Sequence, residues 1–167
     1  RYGSSAASDV YKRQIRSLAR ACGYSGMVGG QIKDIHSHNI EDVNSLDLMH
    51  SEKTGSLIKS SIETSGILSG LELADIKTLT EYGSKIGLAF QIQDDIIDIE
   101  SPSSISGKDQ GSDIEKDKIT YPSIVGLDES KDKAQKLASE AKEILQPLNK
   151  NTDNLCKLAD YIVSRRT

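Results

Sequence analysis

The segment Phe90-Gln91-Ile92-Gln93-Asp94-Asp95-Ile96-Ile97-Asp98 carries the residue types and spacing best suited to chemistry. On a helix Asp94 and Asp98, four positions apart, project from one face, with Gln91 one turn earlier beside Asp94. Asp95 points about 100° away round the same helix and is the weaker candidate. Like charges at that spacing destabilise an isolated helix by roughly 0.2–0.5 kcal/mol, so a nearby cation would offset them. Magnesium suits the position, because it takes oxygen ligands, keeps several waters and is commonly held by one or two carboxylates plus substrate phosphates. Taken alone, the motif fits a solvated acidic face as well as it fits a metal site.

Basic groups elsewhere change the weighing. Lys53 and Thr54 precede Gly55, Lys108 sits in Gly107-Lys108-Asp109-Gln110-Gly111-Ser112-Asp113, and Lys118 leads into Thr120-Tyr121-Pro122. Each lysine by itself reads as ordinary surface. As a set around a carboxylate-held magnesium, the ammonium groups and a hydroxyl make a diphosphate clamp, since such a leaving group needs its charge neutralised. No glycine pattern precedes Lys53-Thr54-Gly55, which rejects a Walker-type phosphate loop. Electrostatic stabilisation of a departing diphosphate requires no protein nucleophile, so His36, His38 and His50 are read as surface or capping residues.

The elements that must hold these groups are helical. Residues 1–14 are small and polar without helical periodicity and are read as a leader outside the fold. From Ile15 the apolar positions Ile15, Leu18, Ala19 and Cys22 recur at helical steps until Gly23, and a second helix starts near Met27. Asn44 or Ser45 is expected to cap a helix with the apolar face Leu48, Leu57, Ile58, Ile62 and Ile67, ending near Gly70. Asp75 is expected to cap the next, in which Leu79, Tyr82, Ile86, Phe90 and Ile97 face a core. Gly83 and Gly87, one turn apart on it, let a neighbouring helix approach closely. The Ser-, Gly- and Pro-containing stretch Ser101 to Gly111 is expected to be a loop directly after the acidic helix end. Two amphipathic helices follow, around Ala134 to Leu148 and around Leu155 to Val163, with Thr152 or Asp153 as cap of the last. With no alternating strand, repeat or linker in view, the fold class is all-α.

Composition narrows the function further. A formal net charge of −4 over 167 residues, with Lys and Arg scattered, offers no basic stripe for nucleic acid. Cys22 and Cys156 fit neither a disulfide framework nor a zinc site and suit a reducing compartment. No apolar run approaches the ~20 residues of a membrane span, and residues 1–14 lack the apolar region of a secretory signal. The expectation is a soluble cytoplasmic protein.

The order Gly29-Gly30-Gln31 with Asp34, Lys53-Thr54-Gly55, Phe90-Gln91, Asp94-Asp95-Ile96-Ile97-Asp98, Gly107-Lys108, Gly111, Asp113, Lys118 and Thr120-Tyr121-Pro122 resembles the trans-isoprenyl diphosphate synthases, farnesyl diphosphate synthases of bacteria above all. The closing Ala159-Asp160-Tyr161-Ile162 with Arg165 is similar too. The resemblance covers about Ile15 to Arg166 and implies the C-terminal part of the isoprenoid-synthase helical bundle. It implies magnesium between two aspartate-rich motifs, loss of diphosphate from an allylic substrate, and attack on the resulting carbocation by isopentenyl diphosphate. Asp94 would then ligate magnesium directly and Asp98 support it through water, while Lys53, Thr54, Gln91 and Lys108 contact the allylic diphosphate. Gln31, Asp34 and Lys118 match the pattern, with structural or supporting parts. The resemblance further implies a homodimer when intact.

The first aspartate-rich motif and the isopentenyl diphosphate pocket find no counterpart here, so residues 15–167 are expected to be the C-terminal half of a synthase domain, inactive by itself. Farnesyl diphosphate is the expected product of the intact protein. The alternatives are a geranylgeranyl or longer-chain synthase and, in another class, a noncatalytic subunit modulating a synthase.

Overall fold

The computed structural model describes residues 4–37, 40, 42–100 and 119–166, and among these there are helices and no strands. The first two helices are α1 (Ser4–Cys22) and α2 (Met27–Ile35). Residues 4–14 correct the reading of a non-helical leader: no Gly or Pro interrupts Ser4 to Cys22, so nothing stops the helix from running back through them. Ile15 and Leu18 are exposed on α1, as are Val28, Ile32 and Ile35 on α2. Helix α1 is tied to the chain further on by the Ser17 hydroxyl, which donates to Glu63 at 2.6 Å.

A single helical rod follows, made of α3 (Val43–His50), a π-helical turn (Ser51–Gly55) and α4 (Ser56–Leu68). Its cap is Asp42, whose carboxylate accepts the Ser45 amide at 2.9 Å, rather than Asn44 or Ser45 themselves. That bond holds the Asp42 carboxyl below its ordinary pKa. The extra residue of the π turn shifts the apolar face by one position. Before it Leu46 and Met49 are buried and Leu48 is exposed, whereas after it Ile58 and Ile62 meet the core. Leu48 therefore does not share a face with Ile58 and Ile62, as it would on an uninterrupted helix. Gly70, at a φ of 68°, ends the rod in the left-handed conformation.

Helix α5 (Leu73–Glu100) is the axis of the molecule. It starts at Leu73, so Asp75 falls in its first turn, where it complements the helix dipole instead of capping. Tyr82, Ile86, Ala89, Ile92 and Ile96 of α5 are fully buried, packing with Leu137, Ala138, Ala141 and Leu145 of α7 (Leu127–Leu145) and Ile162 of α8 (Asp153–Ser164). The Tyr82 hydroxyl donates to the Leu155 carbonyl at 2.8 Å and fixes α8 to α5. Between α5 and α7 lies a short helix, α6 (Tyr121–Val125), with Pro122 in its first turn. Gly126, at a φ of 89°, turns the chain from α6 into α7. None of the described helices is long and apolar enough to cross a membrane.

The π turn is held at backbone contact from two sides. A Cβ on Gly30 of α2 would stand 2.2 Å from the Lys53 nitrogen, and one on Gly87 of α5 would stand 2.7 Å from the Gly55 Cα. Gly83 admits the rod one turn away, against Ile62 and Lys59. Lys33–Glu52 and Lys53–Asp34 ion pairs, at 2.7 and 2.8 Å, join the turn to α2. Gly87→Ala would add helix propensity of about 1 kcal/mol. It would also drive a methyl into backbone that cannot rotate away, a cost of about 1–3 kcal/mol or more. Urea unfolding of the purified chain should show the second effect winning, with a lowered midpoint.

Candidate functional site

Where α5 passes the π turn, a pocket of about 120 Å³ is lined by Asp34, Lys53, Gln91, Asp94, Asp95, Asp98 and Thr120. Asp94 and Asp98 lie one turn apart on α5 and are partly exposed, and the side chain of Gln91 joins them from the preceding turn. Lys53 reaches the same pocket from the rod, and its ammonium donates to Asp34 at 2.8 Å. Asp34 thus orients the lysine. Thr54 stands on the same turn but does not line the pocket. Lys108 and Lys118 lie outside the described residues. A larger cleft of about 530 Å³ between α1 and α4 presents Arg16, Arg20 and Lys59 beside Glu63, and has no carboxylate pair to hold a metal.

Asp95, next in sequence to Asp94, has a different surrounding. It is buried, and its Oδ2 accepts both the His50 Nε2–H at 3.2 Å and the Tyr121 N–H at 2.9 Å. His50 is therefore not the surface or capping residue expected from its sequence context. It is 4% exposed and stacks on Tyr121 with ring centroids 6.0 Å apart, and its Nδ1 is buried without a partner among the described residues. The Tyr121 hydroxyl donates to Asp47, and burial followed by that bond pushes the phenol pKa well up. Amide, ring and hydroxyl together lock the chain to α5 and α3 where it re-enters the described structure. By contrast His36, at the end of α2, hydrogen-bonds the Ile32 carbonyl through Nδ1, as a capping residue would; His38 lies outside the described residues.

Arg165 is a cation beside Asp94. Its Nη2 donates to Asp94 Oδ1 at 2.6 Å and to the Phe90 carbonyl at 3.3 Å, while the guanidinium lies 4.2 Å above the Phe90 ring. No sequence spacing could show this pair, because 71 positions separate the two residues.

Among the described residues no three His, Cys, Asp or Glu groups cluster as a metal centre. Asp94 and Asp98 bring two carboxylates, one turn apart, to the pocket. Such oxygen-only donors fit a magnesium ion that keeps several waters and shares phosphate oxygens with a ligand.

The sequence model of the polyprenyl synthetase family matches residues 7–162. The chain belongs to that family. Polyprenyl synthetase relatives include the farnesyl diphosphate synthase of Micrococcus luteus, 40% identical over 90% of this chain and 52% of its own length. The geranylgeranyl diphosphate synthase of Cyanophora paradoxa is 37% identical over 95% of this chain and 53% of its own. A geranyltransferase from Helicobacter pylori, solved with magnesium and isoprenyl diphosphate, superposes with a TM-score of 0.78 at 29% identity, over 93% of this chain and 52% of that one. The chain thus spans about half the length of these polyprenyl synthetases.

The two neighbouring aspartates should separate in a stability measurement. Asp95→Ala leaves the His50 Nε2–H and the Tyr121 amide buried and unpaired, a loss of roughly 2–4 kcal/mol. Asp94→Ala removes a partly exposed ion pair and should cost less than about 1 kcal/mol. Thermal melts of the two variants against the parent would show whether the ranking holds.

Proposed function

We propose that this chain is the C-terminal half of a prenyltransferase that condenses isopentenyl diphosphate with dimethylallyl or geranyl diphosphate, giving farnesyl diphosphate in the intact protein. The observation that carries the reading is the meeting of Asp94, Asp98, Gln91 and Lys53 at one pocket, in a chain of the polyprenyl synthetase family. Retention of that set argues against a noncatalytic subunit, which has no need of it. The farnesyl product rests on likeness to the Micrococcus luteus synthase.

In this reading Asp94 and Asp98 would hold magnesium, while Lys53, Gln91 and Lys108 would bind the allylic diphosphate. Magnesium, when bound, supplies the positive charge that stabilises diphosphate as its bond to carbon breaks. Lys53, aimed by Asp34, adds a fixed positive charge to the same leaving group. The allylic carbocation is attacked by the double bond of isopentenyl diphosphate, and loss of a proton completes the condensation. Asp95 fastens α5 to α3 and to the start of α6 and touches no substrate. The other half of the domain brings the first aspartate-rich motif and the isopentenyl diphosphate pocket, and the exposed apolar residues of α1 and α2 offer it a surface. The complete enzyme is a homodimer of the cytoplasm, where Cys22 and Cys156 stay as free thiols.

The chain by itself should show negligible turnover of dimethylallyl and isopentenyl diphosphates. In the complete protein Asp94→Ala should lower kcat by about a hundredfold or more with little effect on isopentenyl diphosphate binding, because the interaction grows with charge in the transition state. Steady-state kinetics with both substrates saturating decides the matter: near-parental kcat for Asp94→Ala would remove the metal role. Chromatography of the product separates a farnesyl from a geranylgeranyl synthase.

A further inference from the structure

We propose that Arg165 is a built-in counter-ion for Asp94, which a divalent cation must displace in order to bind; this rests on the reading of Asp94 as a metal ligand. Beyond α8 the chain turns extended at Arg165 and is strapped across one turn of α5. Gln93 Nε2 donates to the Arg165 carbonyl at 3.0 Å, Phe90 offers its carbonyl and ring to the guanidinium, and Asp94 receives Nη2 at 2.6 Å. Phe90, Gln93 and Asp94 sit at steps of three and four along α5, so backbone and side chain of the arm are fixed by the same face. The Arg165 side chain is 11% exposed and that of Asp94 41%, so the cation is enclosed while its partner still reaches solvent.

The arrangement sets the positive charge of Arg165 directly against Asp94. A divalent cation held by both carboxylates would stand beside the guanidinium, and two cations around one carboxylate repel, most of all at low salt. Metal binding and the Arg165–Asp94 pair are then alternatives. The apparent affinity for metal is the intrinsic affinity reduced by the fraction of molecules in which Asp94 is released. Arg165 lowers the affinity of empty protein for metal and keeps Asp94 ordered meanwhile. The competing arrangement, in which metal takes Asp94 Oδ2 with Arg165 still on Oδ1, makes the opposite forecast for removal of the arginine.

Manganese(II) titration by isothermal calorimetry on the full 167-residue chain separates the two. Arg165→Ala should tighten manganese binding about three- to sixfold at low salt, and Asp94→Asn should abolish it in either background. Arg166→Ala, with the same change of net charge one residue on, should shift the affinity by less than about twofold. If Arg165→Ala is not helical by circular dichroism, Arg165→Gln takes its place, keeping a donor for the Phe90 carbonyl without the charge. An affinity unchanged or weakened by loss of Arg165 overturns the proposal, and so does equal tightening by Arg166→Ala, which would mark a net-charge effect. Absence of manganese binding in the parent and in all variants overturns the metal reading of Asp94, and this proposal with it.

Discussion

The backbone-to-backbone approach of the π turn Ser51–Gly55 to α2 on one side and α5 on the other is the constraint on which the site depends. Gly30 against Lys53 and Gly87 against Gly55 leave no space for a single methyl group, so three elements pass one point at the shortest separation that main chains allow. Lys53 emerges from that contact directly beside Asp34, and Asp94 and Asp98 lie two and three turns along α5 from Gly87. An α-helical rod without the π turn would carry Leu48 into the core and turn Lys53 to another side. The turn's lost helical regularity is the cost of placing an ammonium group opposite a carboxylate pair.

Asp94 and Asp95 show how one helix step divides a dyad into two kinds of residue. Asp95 points inward and its oxygen is consumed by His50 and Tyr121, which makes it the fastening of α5 to α3 and to the segment entering α6. Asp94 points to the pocket and is matched by a side chain from the far end of the chain. A buried carboxylate that accepts from a ring and a backbone amide is committed to structure, whereas a partly exposed one in an ion pair remains available to ligands.

The helices and the acidic face were legible in the sequence because three- and four-residue periodicity and carboxylate spacing are local properties. Helix α5, the glycine contacts at Gly83 and Gly87 and the placement of Gln91, Asp94 and Asp98 on one face all follow from such spacing. Helix α1 was extended too little, because small polar residues without an apolar stripe give no periodic signal even when nothing breaks the helix. The π turn has no compositional mark, and its one-residue shift misplaced Leu48. His50 was misread since a lone histidine on an amphipathic helix does not reveal its partners, here 45 and 71 positions away in Asp95 and Tyr121. Arg165 stood in the matched closing motif, but only folding could bring it to Asp94.

The central claim, that α5 and the π turn together form a metal–diphosphate site, is met most directly by an amide NMR titration of the chain with magnesium and inorganic diphosphate. Saturable shifts should centre on Lys53, Gln91, Asp94 and Asp98, extend to Arg165, and require both components. Absence of saturable shifts at these residues, or shifts centred instead on Arg16, Arg20 and Lys59 in the cleft between α1 and α4, would contradict it.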